Sequence, residues 1–153
     1  MAATFYASLA PQQRHSHGAI IVSGQAQGKT HWSKSEPSWV DADLLLGQYP
    51  PSQVESKAAD VEELVKLGAW VLSSTWWKLA DFGHHVAVVC VPPAELKARA
   101  KLKSFEFEDA ASQASTLREA AGKANVPVFS SFDAAKSHLI ATLSAEYSQN
   151  RNK

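Results

Sequence analysis

The chain has 153 residues, 45 % of them hydrophobic and 20 % charged, with 15 basic side chains balancing 15 acidic ones. That is the composition of one globular domain able to bury most of the surface its unfolded form exposes, and the balanced charge supplies no field to draw in nucleic acid or anionic lipid. No apolar stretch approaches the length of a membrane span, and the lone cysteine, Cys90, excludes an internal disulfide.

Met1 to Gln13 lacks the positive charge and unbroken apolar core of a signal peptide, and Gln12 to His17 is polar. Residues 1–17 are therefore expected to form a flexible, solvated approach to the first strand, in a cytoplasmic protein. Ala19, Ile20, Ile21 and Val22 form a buried strand. Gly24, Gln25, Ala26, Gln27, Gly28, Lys29 and Thr30 follow it. A strand that ends in small residues and then Gly-Lys-Thr can wrap backbone N–H groups around a phosphate, with the lysine and the next helix start facing the same charge and the Thr30 hydroxyl on Mg²⁺. The pattern G-x-x-x-x-G-K-[ST] needs four residues between its glycines, and Gly24 and Gly28 enclose three. Starting at Ser23 recovers the register, with the small residues Ser23 and Ala26 at positions that cost something if the loop needs positive φ. The alternative is a bland surface turn.

A short helix should start at Gly28 and end by Glu36, because Pro37 cannot continue it. Lys29 at the start of that helix opposes the macrodipole, which asks for a compensating anion. Trp39 to Asp41 reads as a short second strand followed by Ala42 to Leu46. Asp41 or Asp43 either caps a helix there or offers a carboxylate able to orient a hydroxyl and take its proton. Tyr49 to Ser52 is a stiff loop. Ala58 to Leu67 is a helix with Val61, Leu64, Val65 and Leu67 on one face and Gly68 as its stop. Ala69 to Leu72 is the third strand and runs into Ser73, Ser74 and Thr75. A short helix, Trp76 to Asp81, stops near Gly83. Val86 to Val91 is the strongest strand, ended by Pro92 and Pro93, and Cys90 within it has a packing role. Ala94 to Leu102 and Glu108 to Ala124 are helices, the second poor in large apolar residues and hence mostly solvated. Val126 to Phe129 is a fifth strand. Asp133 to Tyr147 closes the domain with Ala134, Leu139, Ile140 and Leu143 inward, and 148–153 should fray. The alternation of apolar runs with helical segments indicates a parallel sheet with crossover helices. The histidines, at 15, 17, 31, 84, 85 and 138, have no zinc-ligand spacing.

A strand, the loop Ser23 to Thr30, a helix, a strand ending in aspartates, and later a strand running into Pro92, Pro93, Ala94, Glu95 and Leu96 resemble the small nucleoside- and nucleotide-kinase branch of the P-loop NTPases. The resemblance runs from about Gly18 to Leu143, and its specific motif is the loop alone. It implies a three-layer α/β sandwich over residues 18–147, with a parallel five-stranded sheet in an order near 2-3-1-4-5. It implies ATP and Mg²⁺ as cofactors and a nucleotide and a small acceptor as partners, with no nucleic acid and no membrane. By the same resemblance the backbone from Gln25 to Thr30 cradles the β-phosphate, Lys29 bridges to the γ-phosphate, Thr30 ligates Mg²⁺, and Asp41 or Asp43 lies by the acceptor. P-loop proteins carry an acid at the end of the third strand. This chain has Ser73, Ser74 and Thr75 there, so Asp41 or Asp43 must serve. The resemblance also implies a lid after the fourth strand. Lys97, Arg99, Lys101 and Lys103 are available, and Arg99 is the first choice because a guanidinium meets two phosphate oxygens, the alternative being a solvated basic face. Trp76 or Trp77 could stack on an acceptor base and Lys78 meet an acceptor phosphate. The expected function is ATP-dependent phosphoryl transfer to a nucleoside or nucleotide; the alternatives are a nucleotide-binding protein without turnover and a plain interaction module.

Overall fold

Strands β1 (Ala19–Ser23), β2 (Trp39–Asp41), β3 (Trp70–Ser73), β4 (Val86–Val89) and β5 (Val128–Phe129) form one sheet in the order β2-β3-β1-β4-β5. Every pairing is parallel, with Val22 opposite Ser73 on one side and Ser23 opposite Val89 on the other. The computed structural model describes residues 2–24, 29–42, 54–73, 85–103 and 107–151. The expected α/β class, strand order and parallel pairing are all observed. The segments expected at Tyr49 to Ser52 and at Trp76 to Asp81 lie outside the described residues.

Strands β1 and β4 are buried along their whole length on both faces, as their β-branched runs demand, whereas the edge strand β5 carries the exposed Val128. Residues alternate along them. Ile20, Val22, Val71, Val86, Val88 and Cys90 pack against Val61, Leu64 and Val65 of α3 (Val54–Leu67) and Ala114, Leu117 and Ala121 of α5 (Phe107–Lys123). Ala19, Ile21, Leu72, Ala87 and Val89 face the other way, toward Trp32 of α2 (Lys29–Ser35) and Phe132, Ala135, Leu139 and Leu143 of α6 (Phe132–Arg151). Helices thus cover both faces of the sheet. Helix α4 (Pro93–Lys103) meets α5 through Leu96 and Ala110. Proline at the first position of α4 is compatible with the helix, since its missing N–H needs no intrahelical partner there.

Helix ends follow their local chemistry. Gly68 takes φ +116°, Ala69 N–H donates to Leu64 O at 3.0 Å and Gly68 N–H to Val65 O at 3.1 Å, closing α3 with a left-handed cap. Asn125, at φ 57°, ends α5 the same way, with Val126 N–H on Ala121 O at 2.9 Å. Leu67, the last residue of α3 and expected inside, is 37 % exposed. In α6 the inward alanine is Ala135 and not Ala134, which is exposed, and the helix runs on to Arg151 beyond the expected end at Tyr147. Cys90 is buried, and its Sγ–H donates to Ala114 O at 3.5 Å while burial pushes the thiol pKa up, as a packing role requires.

Residues 2–17, expected as a flexible lead-in, carry a short helix and touch the core through a few partly buried side chains. Ala2–Ala7 is helix α1, and Phe5, Tyr6 and Leu9 lie against the core that α3 shares. The reason is apolar surface that local polarity at Gln12 to His17 did not outweigh. The His15 ring stacks on Trp70 with centroids 3.6 Å apart and planes 7° from parallel, and its backbone N–H donates to Gly68 O at 2.9 Å. Among the described residues the buried His15 Nε2 has no hydrogen-bond partner. Desolvation lowers the pKa of this imidazole, offset in part by the Ser38 backbone. A native pKa below the unfolded one means that the unfolded chain binds more protons as pH falls through the imidazole range. This contribution is therefore present above about pH 6.5 and is lost on acidification. His15→Phe keeps a ring on Trp70 and removes the titration. Its urea midpoint is expected to fall less than the wild type's between about pH 7.5 and about pH 5; equal falls would contradict this.

Candidate functional site

The carboxyl ends of β2, β3 and β1 bring Asp41, Ser73 and Ser23 to one edge of the sheet. Both serines are fully buried. Ser23 is an extended strand residue, so the conformational cost anticipated for a non-glycine residue at this position does not arise. Among the described residues its Oγ has no hydrogen-bond partner. An orphaned buried hydroxyl costs about 1–3 kcal/mol, a cost recovered if a ligand oxygen approaches it.

Helix α2 opens on Lys29 and ends at Ser35, within the bounds that Gly28 and Pro37 predict. The Lys29 Nζ lies 4.0 Å from Asp41 Oδ1, and the two side chains are 12 % and 13 % exposed. The anion that a lysine at a helix start calls for is thus met in part by Asp41. Because β3 lies between β1 and β2, a lysine that follows β1 and meets an aspartate ending β2 bridges the carboxyl end of β3, where Ser73 stands. Ammonium, carboxylate and two hydroxyls meet at one sheet edge, which is where ligands of open parallel sheets bind.

Gln25, Ala26, Gln27, Gly28 and Asp43 lie outside the described residues, as do Trp76, Trp77 and Lys78. Thr30 is described as the second residue of α2. At Gly24 an added Cβ would come to 3.4 Å of the Gln113 side-chain oxygen, so α5 approaches the loop's first residue closely. Among the described residues no group of three or more His, Cys, Asp or Glu side chains could hold a metal ion. One carboxylate with hydroxyls nearby is nonetheless compatible with Mg²⁺, which keeps several waters and enters with substrate phosphates.

The Arg99 guanidinium pairs with Glu95 one turn earlier on α4 at 2.7 Å. It lines a separate pocket of about 510 Å³ beyond the ends of β4 and β5, together with His31 and Trp32 of α2 and Ser131, Phe132 and Asp133 at the start of α6. Sequence reading assigned none of these last five a role. Trp32 stacks on Phe132 with centroids 5.3 Å apart, and its Nε1–H donates to Asp133 Oδ1 at 3.0 Å. Lys136 and Glu36 pair at 2.8 Å and further tie α6 to the end of α2. Helix α2 therefore presents Lys29 to one part of the edge and His31 and Trp32 to the other.

Comparison with protein-family models, curated proteins and solved structures returned no match to this chain. Among the described residues no helix is long and apolar enough to cross a membrane.

Proposed function

We propose that the chain is a cytoplasmic phosphotransferase of the P-loop kind, using ATP and Mg²⁺ to phosphorylate a small acceptor, a nucleoside or nucleotide in the first instance. The observation that carries this reading is the Lys29 ammonium. It is nearly buried at the start of the helix that follows β1, and it meets Asp41 at the carboxyl edge of a parallel sheet. Phosphoryl transfer is catalysed chiefly by positioning and by neutralising charge on the transferred group. Lys29 supplies that charge. The orphaned Ser23 hydroxyl at the end of β1 is a donor for a phosphate oxygen. Asp41 is the carboxylate able to orient an acceptor hydroxyl and receive its proton as the bond forms. Thr30 would hold Mg²⁺, which would lower the negative charge that the acceptor must approach.

A second reading, nucleotide binding without turnover, is favoured by one feature. Ser73 stands at the end of β3, where the resembled proteins carry an acid. Transfer of labelled phosphate from ATP to a panel of nucleosides, nucleotides and sugars separates the two. Turnover with any acceptor supports the first, binding alone supports the second, and neither outcome with millimolar ATP ends both.

A further inference from the structure

The pocket beyond β4 and β5 has a wall suited to a planar ring and a rim of hydrogen-bond acceptors. Trp32 and Phe132 supply the aromatic wall, and Val91 adds apolar surface. The polar groups are not equivalent. The Arg99 guanidinium and the Glu95 carboxylate engage one another at 2.7 Å. The Ser131 hydroxyl accepts from Ala134 N–H at 3.2 Å as the helix cap. Asp133 is fixed through one oxygen, Oδ1, by the Trp32 indole N–H at 3.0 Å, which leaves its second oxygen as an anchored acceptor beside the aromatic wall. A ligand that satisfies this arrangement is flat, aromatic and presents an N–H donor at its edge. A volume of about 510 Å³ admits a nucleobase with its ribose. His31 and Trp32 follow Lys29 and Thr30 directly in α2, so a ligand whose phosphates lie on Lys29 has this pocket within reach.

We propose that this pocket holds the base of the phosphate donor, and that Asp133, positioned by Trp32, selects a base carrying an exocyclic amine. The inference rests on the phosphotransferase reading, because it places the triphosphate at Lys29. A carboxylate oxygen held in place by Trp32 favours a base that offers it an N–H group over an analogue lacking one. The Trp32 bond also orients the carboxylate, so the selectivity belongs to the pair.

The test is equilibrium titration of the full chain with the Mg²⁺ complexes of ATP, of purine riboside triphosphate, which lacks the 6-amino group, and of inorganic tripolyphosphate. ATP is expected to bind at least about tenfold more tightly than the amine-free analogue, the value of one charge-assisted hydrogen bond. Asp133→Asn retains an oxygen for Trp32 and turns an N–H₂ toward the base. Its preference should shrink to about threefold or less, while tripolyphosphate affinity stays at the wild-type value. Trp32→Phe keeps the ring and loses the anchoring N–H, and should weaken the same preference. Equal binding of ATP and tripolyphosphate, or an unchanged preference in Asp133→Asn, overturns the inference and leaves the phosphate site standing. Failure of all three ligands to bind overturns both.

Discussion

Lys29→Ala is expected to abolish the stabilisation that Mg²⁺-ATP confers and to lower any phosphoryl transfer by about 100-fold or more. At a ligand concentration of a hundred times its dissociation constant the wild type should gain about 2.7 kcal/mol, or about 5–10 °C in melting temperature for a domain of this size. The physical basis is the position of the ammonium. It is 12 % exposed and held near Asp41, so an arriving phosphate meets a charge already stripped of much of its water. Removing it also leaves the Asp41 carboxylate, 13 % exposed, without that partner, so the variant's own melting is the baseline. Lys29→Arg keeps the charge and separates loss of charge from loss of shape. An ATP-induced shift in Lys29→Ala equal to that of the wild type would contradict the role given to this residue.

Gly18→Ala should have the largest effect on stability. A Cβ at Gly18 would collide with the backbone carbonyl of Val65, close to the capped end of α3, and that atom cannot swing aside as a side chain would. The Gly18 carbonyl also lies 2.8 Å from His85 Nδ1, next to the start of β4. Displacing Gly18 therefore moves the entry to β1, the central strand of the sheet. A loss of about 3 kcal/mol or more, equal to about 6–12 °C, is expected in thermal or urea unfolding. Gly24→Ala is the contrast. Its nearest neighbour is the flexible end of Gln113 and its φ is not in the left-handed region, so the fold should lose less than about 1 kcal/mol. Similar losses at the two glycines would show that the packing of β1 on α3 is not what fixes this edge.

The sheet was legible because its strands carry the signal themselves. Ala19 to Ser23 and Val86 to Val89 are continuous small and β-branched runs, and Pro37, Gly68 and Pro92 mark ends that the backbone enforces. Helix faces made of alanine were harder to read. The buried stripe of α5 is Ala110, Ala114, Leu117 and Ala121, and methyl groups that bury by close approach give little amphipathic contrast. The same weakness exchanged Ala134 for Ala135 in α6. Packing of residues 2–17 escaped notice because it is decided by tertiary partners, His15 on Trp70 above all.

At the site, Lys29 and Asp41 could be chosen from the motif and the strand end. That they meet depends on β3, which comes later in the chain yet lies between their strands. Arg99 was chosen as a lid residue for its fork of donors, and it pairs with a glutamate four residues earlier on its own helix. The pocket was illegible from the sequence. It gathers α2, the turn after β4 and the start of α6, and its Trp32–Asp133 bond joins residues 101 positions apart.

Backbone amide resonances recorded while Mg²⁺-ATP is titrated into the full chain report on the proposed phosphate receptor directly. The largest shifts are expected at Gly24 to Thr30, saturating with one nucleotide per chain and absent in Lys29→Ala. Shifts confined to other parts of the molecule, or none at millimolar nucleotide, would contradict a triphosphate held at the end of β1.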